Sequence, residues 1–285
     1  MSDSQIAPGA PGATSASGTS PRSGLSALVL AGSRGPGDPL ALYAGVSHKA
    51  LIEVDGIPML QRVVAALAQV EAIAHIAISI EQPSLVASLA GLGAAAAHCT
   101  LEVLPAAGSP SLSVAAALDR LGTPLLVTTA DHALLQPEWL RYFLAQVPAD
   151  ADAAVALANK AAILQAVPDT QRTYLRFADD AYSGCNLFYL ATPNAVGAVK
   201  FWRQIEAERK QPLKMIRRLG PLFALRFVLG RLTLAAAIAR LGVLAGARAA
   251  VVKMPFGRAA IDVDKPADLE LVRRLVQQDR DRTTR

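Results

Sequence analysis

Leu125-Leu126-Val127-Thr128-Thr129-Ala130-Asp131-His132 opens with five apolar or β-branched residues and closes on a carboxylate. An apolar run without alternation is the pattern of a parallel strand buried on both faces. An Asp at the carboxyl end of such a strand lies where open α/β sheets bind ligands. Helix-start chemistry follows, with Pro137 and Glu138 before Trp139, Leu140, Phe143 and Leu144.

Working outward, strands and helices alternate. Leu25 to Ala31 reads as a first buried strand, and Gly32 to Pro39 as a long turn. Glycines there let backbone N–H groups approach an anion, and Arg34 adds a fixed positive charge; a plain surface loop has the same glycine content. Ser47 to Val54 reads as a short strand with Lys49 at its start. Asp55-Gly56 is a turn, and Pro58 opens a helix through Leu67. Ile73 to Ile80 and Leu101 to Leu104 are further strands, each followed by a helix. Ser109 and Ser113, at the start of the second of these helices, either bind a polar ligand edge or cap the helix. Such alternation predicts a sheet covered on both faces.

Beyond the central strand, Ala153 to Ala158 continues the pattern. Thr173 to Phe177 and Gly184 to Leu190 flank a short turn, which implies antiparallel pairing and hence a mixed sheet. Thr192 to Leu241 reads as several short helices broken at Pro212, Gly220-Pro221 and Gly230. Arg248 to Met254 is a strand, and Ala259 to Asp264 reads as a second strand end carrying carboxylates. On a strand, Asp262 and Asp264 share one side with Val263 opposite. A final helix is expected to Val276.

The chain has 285 residues and is 52% hydrophobic, enough to bury a large α/β core. Residues 24–278 read as the folded domain, with a helical insertion at about 200–245, a disordered leader over 1–23 and a charged tail over 279–285. The leader lacks an apolar core, so it is not read as a signal peptide. Cys99 and Cys185 have no zinc or disulfide spacing, which suits the cytosol. The net charge of +5 is concentrated: residues 200–231 carry nine Lys/Arg and two Glu, a local +7 that leaves −2 elsewhere. This distribution argues for a local anionic partner and against nucleic acid. Arginines alternate there with apolar groups, as in Leu222 to Leu232. Such a segment either packs on the sheet with its arginines in solvent or lies in an anionic membrane interface, giving peripheral contact through 200–244 at the inner face. No transmembrane helix is read.

Three elements thus converge in kind: a Gly-rich first turn, Asp131, and the pair Asp262 and Asp264. The motifs Leu30-Ala31-Gly32 with Arg34, Lys49-Ala50-Leu51, Gly56-Ile57-Pro58-Met59-Leu60, Thr128-Thr129-Ala130-Asp131 and Asp262-Val263-Asp264-Lys265-Pro266-Ala267-Asp268-Leu269 occur in this order. In order and spacing the chain resembles the MobA-like nucleotidyltransferases. The first turn departs from the family's usual pattern, which has a further Gly after Leu-Ala-Gly: here Ser33-Arg34 follows Gly32 directly.

The resemblance implies a Rossmann-like three-layer α/β domain with a mostly parallel mixed sheet, of the nucleotide-diphospho-sugar transferase type. It implies an NTP, with CTP or GTP favoured, over Leu30, Ala31, Gly32, Ser33, Arg34 and Lys49, with Ser109 and Ser113 near the base. Arg34 and Lys49 would contact phosphates. Asp131 would bind Mg²⁺, completed by Asp262 or Asp264, with Asp262 preferred because Asp264 is placed to cap the last helix. Asn186 would border the pocket of a phosphorylated small-molecule or lipid-linked acceptor. Two other functions share these parts: a nucleotide-sugar glycosyltransferase, disfavoured by the missing Asp-x-Asp at the central strand, and a catalytically inactive nucleotide-binding protein.

Overall fold

The structure, a computed structural model, describes residues 24–33, 35, 37–208, 214 and 218–283. The expected leader, Arg34, and parts of the 200–245 and 279–285 segments fall outside the described residues. In chain order the elements are β1 (Leu25–Leu30), α1 (Pro39–Tyr43), β2 (Glu53–Val54), β3 (Ile57–Pro58), α2 (Met59–Ala68), β4 (Ile73–Ile80), α3 (Pro83–Ala87), α4 (Leu92–Ala95), β5 (Thr100–Pro105), α5 (Pro110–Leu121), β6 (Leu125–Thr129), α6 (Pro137–Gln146), β7 (Ala153–Asn159), α7 (Lys160–Ala166), β8 (Leu175–Arg176), β9 (Ala181–Leu190), α8 (Ala195–Glu208), α9 (Pro221–Val228), α10 (Leu234–Ala245), β10 (Ala249–Met254) and α11 (Pro266–Thr283).

One mixed sheet of eight strands runs β10-β7-β9-β6-β1-β4-β5, with β8 paired to β9. β1 pairs in parallel with β4 on one side and β6 on the other. β9 is antiparallel to both β6 and β7. The central strands carry no polar alternation because both of their faces are covered. Ala27, Val29 and Leu126 face the core under α2, α6 and α11, while Leu28, Leu125 and Val127 face the core under α5 and α8. Successive side chains of a strand point to opposite faces, so each such strand feeds two cores. Burying one Leu or Val side chain fully contributes about 2 kcal/mol.

Chain order places the ligand crevice. From β1 the chain moves outward through β4 and β5, then returns to put β6 on the other side of β1. The crossovers diverge at the carboxyl ends of β1 and β6, which is where an open sheet leaves a crevice.

Four local expectations are corrected. Lys49–Leu51 is a 3₁₀ turn, not a strand start; His48 accepts the Ala50 amide in its cap, and the strand itself is Glu53–Val54. Pro39, read as the end of the long turn, instead opens α1 with Asp38 as its cap. Ala259 to Asp264 is not a strand: Gly257–Ala260 is a 3₁₀ turn and the next residues are irregular. The expected tail is helical for most of its length, because α11 continues to Thr283.

Candidate active site

A cleft of about 430 Å³ opens at the carboxyl ends of β1, β4, β5 and β6. Its walls include Gly32, Ser33, Lys49, Glu81, Ser109, Ser113, Thr129, Asp131 and Asp264. The polar end is organised by Lys49. Its Nζ lies 2.6 Å from Asp131 Oδ2 and 3.1 Å from Asp264 Oδ1. Thr129 Oγ1 donates to the other Asp131 oxygen at 2.5 Å. Thus an ammonium is clamped between two carboxylates from distant parts of the chain.

Local backbone explains the meeting. The 3₁₀ turn sets Lys49 beside β6 rather than in a ladder. The Ala130 amide donates to the Leu30 carbonyl, which ties the end of β6 to the end of β1. The Asp131 carbonyl accepts the Val263 amide at 3.1 Å, so the Asp262–Asp264 segment docks directly on Asp131. Burial opposes the charge of Lys49, but Asp131 and Asp264 outweigh it and hold the ammonium above its ordinary pKa. Burial pushes Asp131 up, with Asp262 adding to it and Lys49 and Thr129 pulling back.

The two late carboxylates part company. Asp262 is buried and turned away from the cleft. It pairs with Arg172 and accepts from Asn186 Nδ2 at 2.6 Å. Burial alone would raise its pKa; Arg172 and Asn186 hold it below the usual carboxylate range. Asp264 is the one that reaches Lys49. Its carboxylate does not make the cap expected of it; instead Asp268, in the first turn of α11, reaches back to accept the Asp264 and Lys265 amides. The reason for preferring Asp262 as the second ligand, a capping role for Asp264, is therefore absent; both carboxylates are paired, Asp262 with Arg172 and Asp264 with Lys49.

Of the other sequence-selected residues, Leu30, Gly32 and Ser33 line the cleft, and Ala31 is buried with its amide on the Ser79 carbonyl. Ser109 caps α5 and also donates to Glu206 of α8 at 2.7 Å. Ser113 accepts the Ala107 amide. Both serines thus serve local structure while facing the cleft. Asn186, at a φ of 50° that Asn tolerates better than most residues, is directed at Asp262. His132 is buried against Trp139, and burial pushes its pKa down to about 4, so it is neutral. Arg34 lies outside the described residues.

Glu81 was missed. Its carboxylate accepts the Ser33 amide at 2.9 Å and lies 3.3 Å from His48 Nε2. Glu81 directly follows β4, so the strand-end argument that singled out Asp131 applies equally to it. Arg172 was missed too; nothing in its sequence surroundings marks it.

A family model described as the MobA-like NTP transferase domain matches residues 27–249. No curated protein matches in sequence. Among solved structures, a hypothetical transferase from Thermus thermophilus is 31% identical, with a TM-score of 0.72 over 86% of this chain and 98% of that one. A CMP:2-keto-3-deoxy-manno-octonic acid synthetase complexed with CTP is 16% identical, with a TM-score of 0.50 over 90% of this chain and 98% of its own. The 4-diphosphocytidyl-2C-methyl-D-erythritol synthase of Anaerococcus prevotii is 11% identical, with a TM-score of 0.52 over 89% of this chain and 98% of its own. The last two likenesses are likenesses of fold. The chain belongs to the MobA-like NTP transferase family.

Proposed function

We propose that this member of the MobA-like NTP transferase family is a Mg²⁺-dependent nucleotidyltransferase. It moves an NMP from an NTP, CTP or GTP by preference, onto a phosphorylated acceptor and releases pyrophosphate. The single observation that carries this reading is the Lys49 clamp between Asp131 and Asp264 at the switch point of the sheet.

The donor set fits magnesium. Among the described residues no three His, Cys, Asp or Glu side chains form a ready cage. Magnesium seldom needs one, since it takes one or two carboxylates and fills its shell with water and phosphate oxygens. Asp131 and Asp264 would supply those carboxylates. When bound, the ion would neutralise charge developing on the α-phosphate.

The chain's own groups do the rest. Lys49 balances the two carboxylates before substrate arrives and offers a buried positive charge to the polyphosphate afterwards. The Ser33 amide, held by Glu81 in this structure, is a donor for which a phosphate oxygen competes. An oxygen of the acceptor phosphate forms the new bond to the α-phosphorus as the bond to pyrophosphate breaks. That oxygen is already a nucleophile, so no side chain need remove a proton. His132, buried against Trp139, does not line the cleft.

The test is a panel of the common NTPs with magnesium, followed by thermal unfolding. Ligand at a hundred times its Kd raises stability by about 2.7 kcal/mol. CTP or GTP should give the largest upward shift, reduced in Lys49→Ala. Equal, negligible shifts with every NTP would contradict the reading.

A further inference from the structure

Helix α9 packs Phe227 edge-on against Phe177, ring centroids 6.1 Å apart, and leaves most of its surface in water. It runs Pro221–Val228 and buries none of its residues. Leu222, Leu225, Phe227, Val228 and the following Leu229 are all exposed, Val228 at 80%. Other helices of the chain turn their apolar residues to a core: α2 buries six of its ten residues, and α6 buries Trp139, Leu140 and Phe143. An apolar helical face of this kind, left in water, marks a surface that something covers.

Charge says what covers it. No Asp or Glu occurs between Glu208 and Asp262. The two acids just before that stretch are already engaged: Glu206 accepts from Ser109, and Glu208 is paired with Arg218. Arg226, within the apolar face, and Arg231, just beyond it, are exposed and form no ion pair among the described residues. Exposed Lys200, Arg203 and Lys214 add to the same sign. A protein groove would take the leucines but leave these arginines unanswered. A polyanion such as RNA would answer the arginines and leave the apolar face wet. The anionic interface of a lipid bilayer answers both at once, with apolar groups sunk below the headgroups and arginines at the phosphates. Among the described residues no helix is long and apolar enough to cross a membrane, so contact of this kind is peripheral.

We propose that α9 and the turn after it are a membrane-docking surface for anionic phospholipid. Docking goes beyond the nucleotidyltransferase reading and does not depend on it. It would hold the open cleft near lipid surfaces.

Flotation of the full-length protein with sealed vesicles tests this. One set is equal parts phosphatidylglycerol and phosphatidylcholine; the other is phosphatidylcholine alone. The protein should float with the anionic set at low salt, and less so as salt rises. Leu225→Glu with Val228→Glu replaces two side chains that are already exposed and should abolish flotation. Arg226→Ala with Arg231→Ala should lower the bound fraction about tenfold or more, since each arginine near an anionic surface contributes to binding. Both double variants should keep the wild-type melting temperature and nucleotide-induced shift, which separates docking from the cleft. No flotation with anionic vesicles at low salt overturns the proposal. So does flotation that neither double variant changes. If light scattering shows a wild-type dimer that Leu225→Glu with Val228→Glu splits to a monomer, a second copy covers the face and the membrane is excluded.

Discussion

At Lys49 one ammonium answers two carboxylates, and each of the three groups can be removed separately. Asp131→Asn keeps the shape and removes the charge. We expect turnover to be lost with the melting temperature little changed, checked by activity and calorimetry on one preparation. Lys49→Ala should raise the NTP concentration needed for half-maximal rate and lower that rate, because a buried point charge leaves the polyphosphate. Asp264→Asn should impair turnover much as Asp131→Asn does, whereas Asp262→Asn should act mainly on stability, since Asp262 is paired with Arg172 behind the cleft. Comparing the rates and melts of these two variants settles which late carboxylate serves the reaction. His132 gives a prediction in pH. Its folded pKa, about 4, lies below the ordinary 6.5. Between those values the unfolded chain binds more protons than the folded one, so stability falls as the pH is lowered through this window. The loss from this residue is about 3 kcal/mol at most. His132→Asn should flatten the pH dependence of unfolding between pH 6.5 and 4, measured by denaturant titration.

Among the elements, the 3₁₀ turn Gly257–Ala260 has the closest packing near the site. A Cβ on Gly257 would lie 2.0 Å from the Ala162 carbonyl oxygen of α7. Two backbones therefore touch there, and Gly257→Ala must push them apart. We expect a loss of about 1–3 kcal/mol in unfolding free energy, as for other overpacked sites. Because this turn delivers Ile261 to Asp264, turnover should fall as well. How well each element reads from sequence follows from the forces that form it. β1, β4, β6 and β7 were legible because burial on both faces leaves long apolar runs. Helices α2, α5 and α6 announced themselves through proline and apolar spacing. The segments around Lys49 and Asp262 read wrongly as strands because a few apolar residues look alike in a ladder, a 3₁₀ turn and an irregular tie; the first is closed by the local His48 cap, and the second is tied by the long-range Val263-to-Asp131 bond. Asp131 was read from its strand end taken together with the Gly-rich first turn and the late carboxylates. Glu81 obeyed the same rule, but it lies one residue past the strand read as Ile73 to Ile80 and was passed over. The pairing of Asp262 with Arg172 joins residues far apart in the chain, and no local pattern encodes it.

Across the whole molecule, the chain belongs to the MobA-like NTP transferase family and its sheet opens a polar cleft at the switch point, the site proposed for the nucleotide. Family and cleft leave the acceptor open, so the most direct measurement offers many acceptors at once. Each NTP with magnesium is incubated with a mixed panel of phosphorylated sugars, alcohols and lipid headgroups, and pyrophosphate is followed alongside the nucleotidylated product. We expect CTP or GTP to yield pyrophosphate and product in equal amounts, at a rate that Asp131→Asn abolishes. Pyrophosphate release by Asp131→Asn at the wild-type rate, or release of orthophosphate in its place, would contradict nucleotidyl transfer at this site.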